Sequence, residues 1–108
     1  MSAVIQIPIF PLPDVVLFPH TLLPLHIFEP RYKEMIGECL ERNQPFGVVR
    51  AQEDSLASIG CTAEVVAVVK RHPDGRMDIV TQGRTRFQVL ELNQERAFLR
   101  GEVLFFED

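Results

Sequence analysis

The sequence is poor in cysteine and has no tryptophan. Its two cysteines, Cys39 and Cys61, fall on the apolar faces of a predicted helix and a predicted strand. We therefore expect buried free thiols in a reducing compartment rather than a disulfide. Neither cysteine has a CxxC partner, and the three histidines, His20, His26 and His72, lack the close spacing of a metal pair. The sequence predicts no metal site and no cofactor.

Positive charge is also scarce. The 108 residues contain 11 Lys and Arg against 15 Asp and Glu, a net charge of −4. Nucleic acid is not an expected partner, because a phosphate-binding surface needs a clustered excess of basic residues. No basic segment precedes an apolar run at the amino terminus, and no apolar segment has membrane-spanning length. We expect one cytoplasmic domain over residues 1–108, without membrane association.

The sequence lacks the motifs of an active site. It has no GxxxxGK[ST] phosphate loop and no GxSxG elbow. Its two lysines, Lys33 and Lys70, are predicted to be exposed, so neither supplies the desolvated base of a Ser–Lys pair. The acidic residues of the predicted helix are explained by a solvated face. The sequence therefore predicts no catalytic residue and no enzymatic activity.

A strand that runs directly into a helix organises the chain. Leu23, Leu25 and Ile27 alternate as on one face of a strand, and Pro24 predicts that this strand lies at a sheet edge or pairs on only one side there. Pro30 suits a first helical position, and Asn43 suits the left-handed residue that ends a helix. The predicted helix spans about residues 30–42. Its apolar stripe has helical spacing and consists of Tyr32, Met35, Ile36, Cys39 and Leu40.

The remaining chain predicts strands near residues 5–10, 46–50, 61–70, 76–92 and 98–106. Residues 72–75 form a hairpin turn, and Gly83 marks a bulge or bend. Residues 51–59 are expected to be a polar loop. The segment 61–70 is apolar on both sides at its centre, which predicts a central strand. The fold class is α+β: a mostly antiparallel six-stranded sheet curled into a small, partly open barrel that one helix plugs or caps.

Several stretches together resemble the amino-terminal substrate-binding domain of Lon proteases. They are Ile-Pro-Ile-Phe-Pro-Leu at 7–12, Val-Leu-Phe-Pro at 16–19, Leu-Pro-Leu-His-Ile-Phe-Glu-Pro-Arg-Tyr at 23–32, Phe-Gly-Val-Val at 46–49, Ile-Gly-Cys at 59–61, Pro-Asp-Gly-Arg at 73–76 and Gln-Gly-Arg-Thr-Arg-Phe at 82–87. The likeness is to small bacterial proteins that carry this domain without ATPase or protease parts. It implies a PUA-like pseudo-barrel that recognises unfolded or damaged polypeptides, and it transfers no catalytic residue. In the family a helical bundle commonly follows, so we expect this chain to be either a fragment or an unusually short member.

The leading interpretation is a non-catalytic module that binds unfolded polypeptides or a protein partner. The predicted surface combines an apolar segment with the charged face of the helix. It consists of Val15, Val16, Leu17, Phe18 and Pro19 together with Arg31, Lys33 and Glu34. An alternative stays open, in which Leu17 and Phe18 belong to the core and Arg31 is merely solvated. Exposed apolar surface also makes an oligomer possible.

A second interpretation is a PUA-like RNA-binding module. The acidic balance of the chain opposes it.

Overall fold

The structure is a computed structural model, and it describes residues 4–106. Six strands and one substantial helix follow one another along the chain. They are β1 (Val4–Pro13), β2 (Leu22–Ile27), α1 (Pro30–Arg42), β3 (Phe46–Ala51), β4 (Leu56–Arg71), β5 (Met77–Asn93) and β6 (Arg100–Phe105). The predicted α+β class, the six strands and the helix bounds are confirmed.

The sheet closes on itself. Its strand order is β2-β5-β4-β3-β1-β6, and β6 also pairs with β5. Every pairing among the described strands is antiparallel except that of β1 with β3. Within residues 4–106, β2 pairs with β5 and with no other strand, so it lies at an edge. This is the position that Pro24 predicted, since proline cannot donate a ladder hydrogen bond.

The helix covers the larger of two buried clusters. Glu29 is extended, Pro30 opens α1, and Asn43 ends it with φ 53°. The stripe faces inward: four of its members are buried and Leu40 is partly buried. Tyr32 stacks on Phe10 of β1, with ring centroids 4.2 Å apart. The predicted burial of the helix against the sheet is therefore confirmed.

The two cysteines lie in this larger cluster. Cys39 and Cys61 are both buried and unbonded to each other, as their positions on apolar faces predicted. Burial raises the pKa of the Cys39 thiol to about 11, with a smaller contribution from the neighbouring Glu38 carboxylate. Both thiols therefore act as small apolar core groups.

A second, smaller cluster lies inside the closed part of the barrel. Its buried members are Ile7, Ile9, Val49, Phe87 and Val103. Strands β1, β3, β5 and β6 each contribute to it, so the extra β5–β6 pairing has a packed interior. No helix within residues 4–106 has the length and apolarity needed to cross a membrane.

The predicted central strand is confirmed, because β4 lies between β5 and β3 in the sheet. The strand begins at Leu56, however, inside the segment expected to be a loop. Among the described residues its outer half pairs with β5 but not with β3, so the apolar residues there are less covered than predicted. Register shifts between Val65 and Ala67 and between Val68 and Lys70 also break the simple alternation. Val66 and Val69 are the residues without a β5 partner at these shifts, and Val69 is 67% exposed.

Candidate functional site

The segment between β1 and β2 is a loop held against β5. Two residues with positive φ, Asp14 and His20, lie at its two ends. The His20 amide donates to the Gly83 carbonyl over 2.8 Å, and the Gly83 amide donates to the Thr21 carbonyl over 2.9 Å. A Cβ on Gly83 would lie 2.2 Å from the Phe18 carbonyl oxygen. Gly83 thus accepts the close approach of the loop backbone, and a register shift on β5 follows it.

The side chains of this loop divide between core and solvent. Leu17 is buried and belongs to the larger cluster. Val16 and Phe18 are 56% and 59% exposed, although they flank it in sequence. The alternative that placed Leu17 and Phe18 in the core is right for Leu17 and wrong for Phe18. An exposed aromatic ring on an anchored backbone is a feature of binding surfaces.

A groove of about 220 Å³ lies between this loop and the neighbouring strands. We call it the loop groove. Loop residues 15–18 form one side, and the other side consists of Val48, Arg50, Gln52, Ala57, Ile59, Gly60 and Arg86. Apolar side chains form most of its lining, while two arginines add positive charge. The groove therefore combines apolar surface with groups that attract carboxylates.

The predicted charged residues of the helix lie elsewhere. The Arg31 Nε donates to Glu29 over 2.9 Å, and its guanidinium lies 4.7 Å from the centroid of the Tyr32 ring. Arg31 lines a second groove, of about 320 Å³, whose other walls come from residues 10–13 and 25–29. We call this the helix-start groove. Arg31 and the loop therefore line different grooves.

Lys33 and Glu34 also have contacts of their own. The Lys33 Nζ donates to the Asp74 carbonyl in the β4–β5 turn over 3.0 Å. Glu34 lies 3.5 Å from Arg96, which also donates to Glu38 over 2.7 Å. The hydrogen bond from Arg96 is the main reason that the pKa of Glu38 lies below its ordinary value. These contacts join α1 to the β4–β5 turn and to the segment before β6.

Sequence reasoning missed the strand side of the loop groove. Arg50, Ile59 and Arg86 come from three different strands, and register alone brings them together. The one available signal was Ile59, an apolar residue at the end of a segment expected to be a polar loop. Because β4 in fact begins at Leu56, Ile59 lies in a strand and is exposed beside Phe18 in the groove.

The architecture is that of a small, mostly antiparallel barrel with an edge strand and one covering helix. The sequence matches the ATP-dependent protease La (LON) substrate-binding domain over residues 6–108. The chain therefore belongs to the LON substrate-binding domain family. The domain that defines this family is the substrate-binding part of Lon.

Individual relatives agree with this assignment. A Lon protease from Parabacteroides distasonis is 34% identical over 94% of this chain, which spans 13% of that protein. Protein cereblon from Xenopus tropicalis is 38% identical over 80% of the chain, which spans 20% of that protein. The crystal structure of a Lon N-terminal domain protein from Xanthomonas campestris superposes with a TM-score of 0.84 at 27% identity, covering 95% of this chain and 60% of the other. The chain thus spans a small fraction of these curated relatives.

Proposed function

We propose that this domain binds unfolded or damaged polypeptides, and that the loop groove is where it holds them. Membership of a substrate-binding family supports a role in recognising protein substrates. The observation that carries the placement is the exposed Phe18 ring, at 59%, on a loop fixed by backbone hydrogen bonds to Gly83. A fixed loop loses little conformational entropy when a partner binds, so its apolar side chains contribute more of their burial to affinity.

The composition of the groove suits segments that folded proteins hide. Val16, Phe18 and Ile59 provide exposed apolar surface in an open groove, which can accept apolar side chains of different shapes. Arg50 and Arg86 at the same groove favour segments that carry carboxylates beside their apolar residues. Such a surface selects exposed hydrophobic side chains rather than a particular sequence.

The binding is expected to be weak. A groove of about 220 Å³ holds one or two side chains. The free energy from burying that little apolar surface is largely offset by the entropy lost on association. We expect a Kd in the micromolar range or weaker, roughly 10 μM or above. A domain that must release folded proteins works well with such an affinity, and several copies would strengthen it through avidity.

NMR titration with a reduced, alkylated test protein that cannot fold examines this proposal. Amide shifts should concentrate at residues 15–18 and at Arg50, Ile59 and Arg86. Phe18→Asp should abolish the shifts, because it places a charge where apolar contact is required. Val69→Asp is the matched control: Val69 is exposed like Phe18, at 67%, but lies ten residues from Ile59 along β4, roughly 30 Å away.

Other outcomes would relocate or remove the site. Shifts centred on Arg31 and on residues 10–13 would place binding in the helix-start groove instead. Charge reversal at Arg31 and Lys33 tests the helix part of the predicted surface, and we expect it to weaken binding and alter its salt dependence without abolishing it. Binding that Phe18→Asp and Val69→Asp leave equally intact would contradict the loop groove. A structured RNA at low salt should produce no shifts.

A further inference from the structure

Two histidines and one aspartate that are remote in sequence meet on the outer face of the sheet. Among residues 4–106, His26, His72 and Asp78 form the one group of three potential metal ligands whose donor atoms all lie within 4.8 Å of one another. The sequence predicted no metal site, because no two histidines have the close spacing of a metal pair; Asp78 is 52 residues from His26. The fold creates the cluster, at a surface distinct from the loop groove.

Strand register brings His26 and Asp78 together. His26 of β2 is the direct cross-strand partner of Asp78 of β5, so their side chains project from the same face. The His26 Nδ1 lies 2.5 Å from one carboxylate oxygen of Asp78. The His26 ring also stacks on Phe28, with centroids 5.8 Å apart, which restricts its orientation.

The β4–β5 turn supplies the third group. The His72 amide donates to the Arg76 carbonyl over 2.8 Å, which fixes the backbone where the turn begins. The His72 Nε2 lies 3.1 Å from the second oxygen of Asp78. The two imidazoles are nearly perpendicular, at 86°, with centroids 5.9 Å apart. Each ring therefore directs one nitrogen at a different oxygen of the same carboxylate.

We propose that His26, His72 and Asp78 form a binding site for Zn²⁺. Two imidazole nitrogens and one carboxylate oxygen are a donor set that Zn²⁺ accepts, at distances of about 2.0–2.2 Å. To bring the three donor atoms to those distances, the three side chains would rotate, and the ion would displace the protons between them. The side chains of His26 and Asp78 are 46% and 38% exposed, and that of His72 is 18% exposed, so an ion can enter from solvent. Water would complete the coordination.

The surrounding charges set the expected strength. Lys70 is the cross-strand neighbour of Asp78 on β4, and a cation there opposes a metal ion. Arg76 is directed to Asp74 over 2.8 Å, and Arg71 to the Met77 sulfur over 3.7 Å. With one anionic ligand and basic neighbours, a micromolar Kd is expected rather than a nanomolar one.

The occupied site would join three parts of the sheet. Zn²⁺ would attach the edge strand β2 to the beginning of β5 and to the turn that follows β4. The outer half of β4 pairs with β5 but not with β3, so this part of the sheet has the fewest strand partners. Nitrogen ligands favour Zn²⁺ over Mg²⁺, which requires oxygen donors.

Isothermal titration of Zn²⁺ into the purified chain, in a buffer that does not chelate metal, tests this site. We expect one ion per chain. His26→Gln, His72→Gln and Asp78→Asn should each weaken binding at least tenfold. The matched control is His20→Asn, which removes the remaining histidine and tolerates the φ of 71° at that position. It should leave the affinity unchanged, and Mg²⁺ should not bind.

NMR of the unaltered chain gives a readout that does not depend on how the variants fold. The imidazole signals of His26 and His72 should move with Zn²⁺ while those of His20 stay fixed. An unaltered chain that binds no Zn²⁺ would overturn the proposal. The proposal would also be overturned if the three ligand variants bound Zn²⁺ as tightly as the unaltered chain. Imidazole shifts confined to His20 would overturn it too.

Discussion

Replacing Gly83 with alanine should destabilise the domain through one methyl group. The new Cβ would lie 2.2 Å from the Phe18 carbonyl oxygen, 3.0 Å from the Phe18 carbonyl carbon and 3.1 Å from the Leu17 Cγ. A backbone carbonyl cannot rotate away as the end of a long side chain can. The loop of residues 15–19 must therefore move away from β5, or β5 must bend.

The magnitude follows from what that movement disrupts. Overpacking at a fixed position costs about 1–3 kcal/mol. The two hydrogen bonds that join Gly83 to His20 and Thr21 would also be distorted, and each contributes about 1 kcal/mol. Alanine recovers about 0.4–1 kcal/mol by restricting the unfolded chain. The free energy of unfolding should fall by about 2–4 kcal/mol.

Urea denaturation followed by circular dichroism measures this loss, and Gly37→Ala is its control. Gly37 lies within α1, and a Cβ there would meet nothing within 4 Å. Alanine has the higher helix propensity, so the same substitution should stabilise the chain by about 0.5–1 kcal/mol. Opposite signs at the two glycines are the expected result. A Gly83→Ala chain as stable as the unaltered one would refute the close packing of the loop on β5.

Three further predictions concern the helix and the groups around it. Ile36→Ala should lower the free energy of unfolding by about 2–5 kcal/mol, because the Ile36 side chain on the inner face of α1 is fully buried. A loss below about 0.5 kcal/mol in urea denaturation would show that the helix does not cover the core. The Cys39 thiol, with a pKa of about 11, should resist an aromatic disulfide reagent at pH 8 in the native chain and react once urea unfolds it; rapid native reaction would contradict its burial. Because the pKa of Glu38 is lowered in the fold, its contribution to stability is present above the unfolded pKa and is lost as the pH falls through the folded pKa. Arg96→Gln should return the pKa of Glu38 toward its ordinary value in a carboxyl-detected NMR titration, and an unchanged pKa would show that the Arg96 contact is unimportant.

The sequence predicted the elements whose signals are local. Pro30 and Asn43 set the ends of α1, and the spacing of its apolar stripe identified the buried face. Pro24 indicated a strand that is unpaired on one side at that residue, since its missing amide cannot donate there, and β2 lies at an edge of the sheet. Such inferences succeed because each depends on a few neighbouring residues whose backbone preferences agree with their tertiary environment.

The outer half of β4 shows where local reasoning fails. Val65, Val66, Val68 and Val69 form a pattern that is apolar on both faces, which normally indicates burial on both sides. Burial instead depends on which strands lie alongside, and β3 pairs with β4 up to Ala63. Bulges then decide which valine turns inward, and a bulge arises from the register of two strands rather than from one of them. The exposure of Val69 therefore cannot be predicted from the sequence of its own segment.

The predicted parts of the candidate sites likewise depend on local sequence signals, and the unpredicted parts depend on strand pairing. An apolar run among prolines indicated a non-helical segment at residues 15–18 but left open a short buried strand or a loop, and the structure shows a loop. Arg50 and Arg86 meet beside that loop through the pairing of β3 and β5 with β4, and Asp78 meets His26 through the pairing of β5 with β2. A one-residue change of that register would turn Asp78 to the opposite face and separate the two side chains. A functional site assembled across strands is therefore as predictable as the register itself, and here the register is set by long-range packing under α1 and inside the barrel.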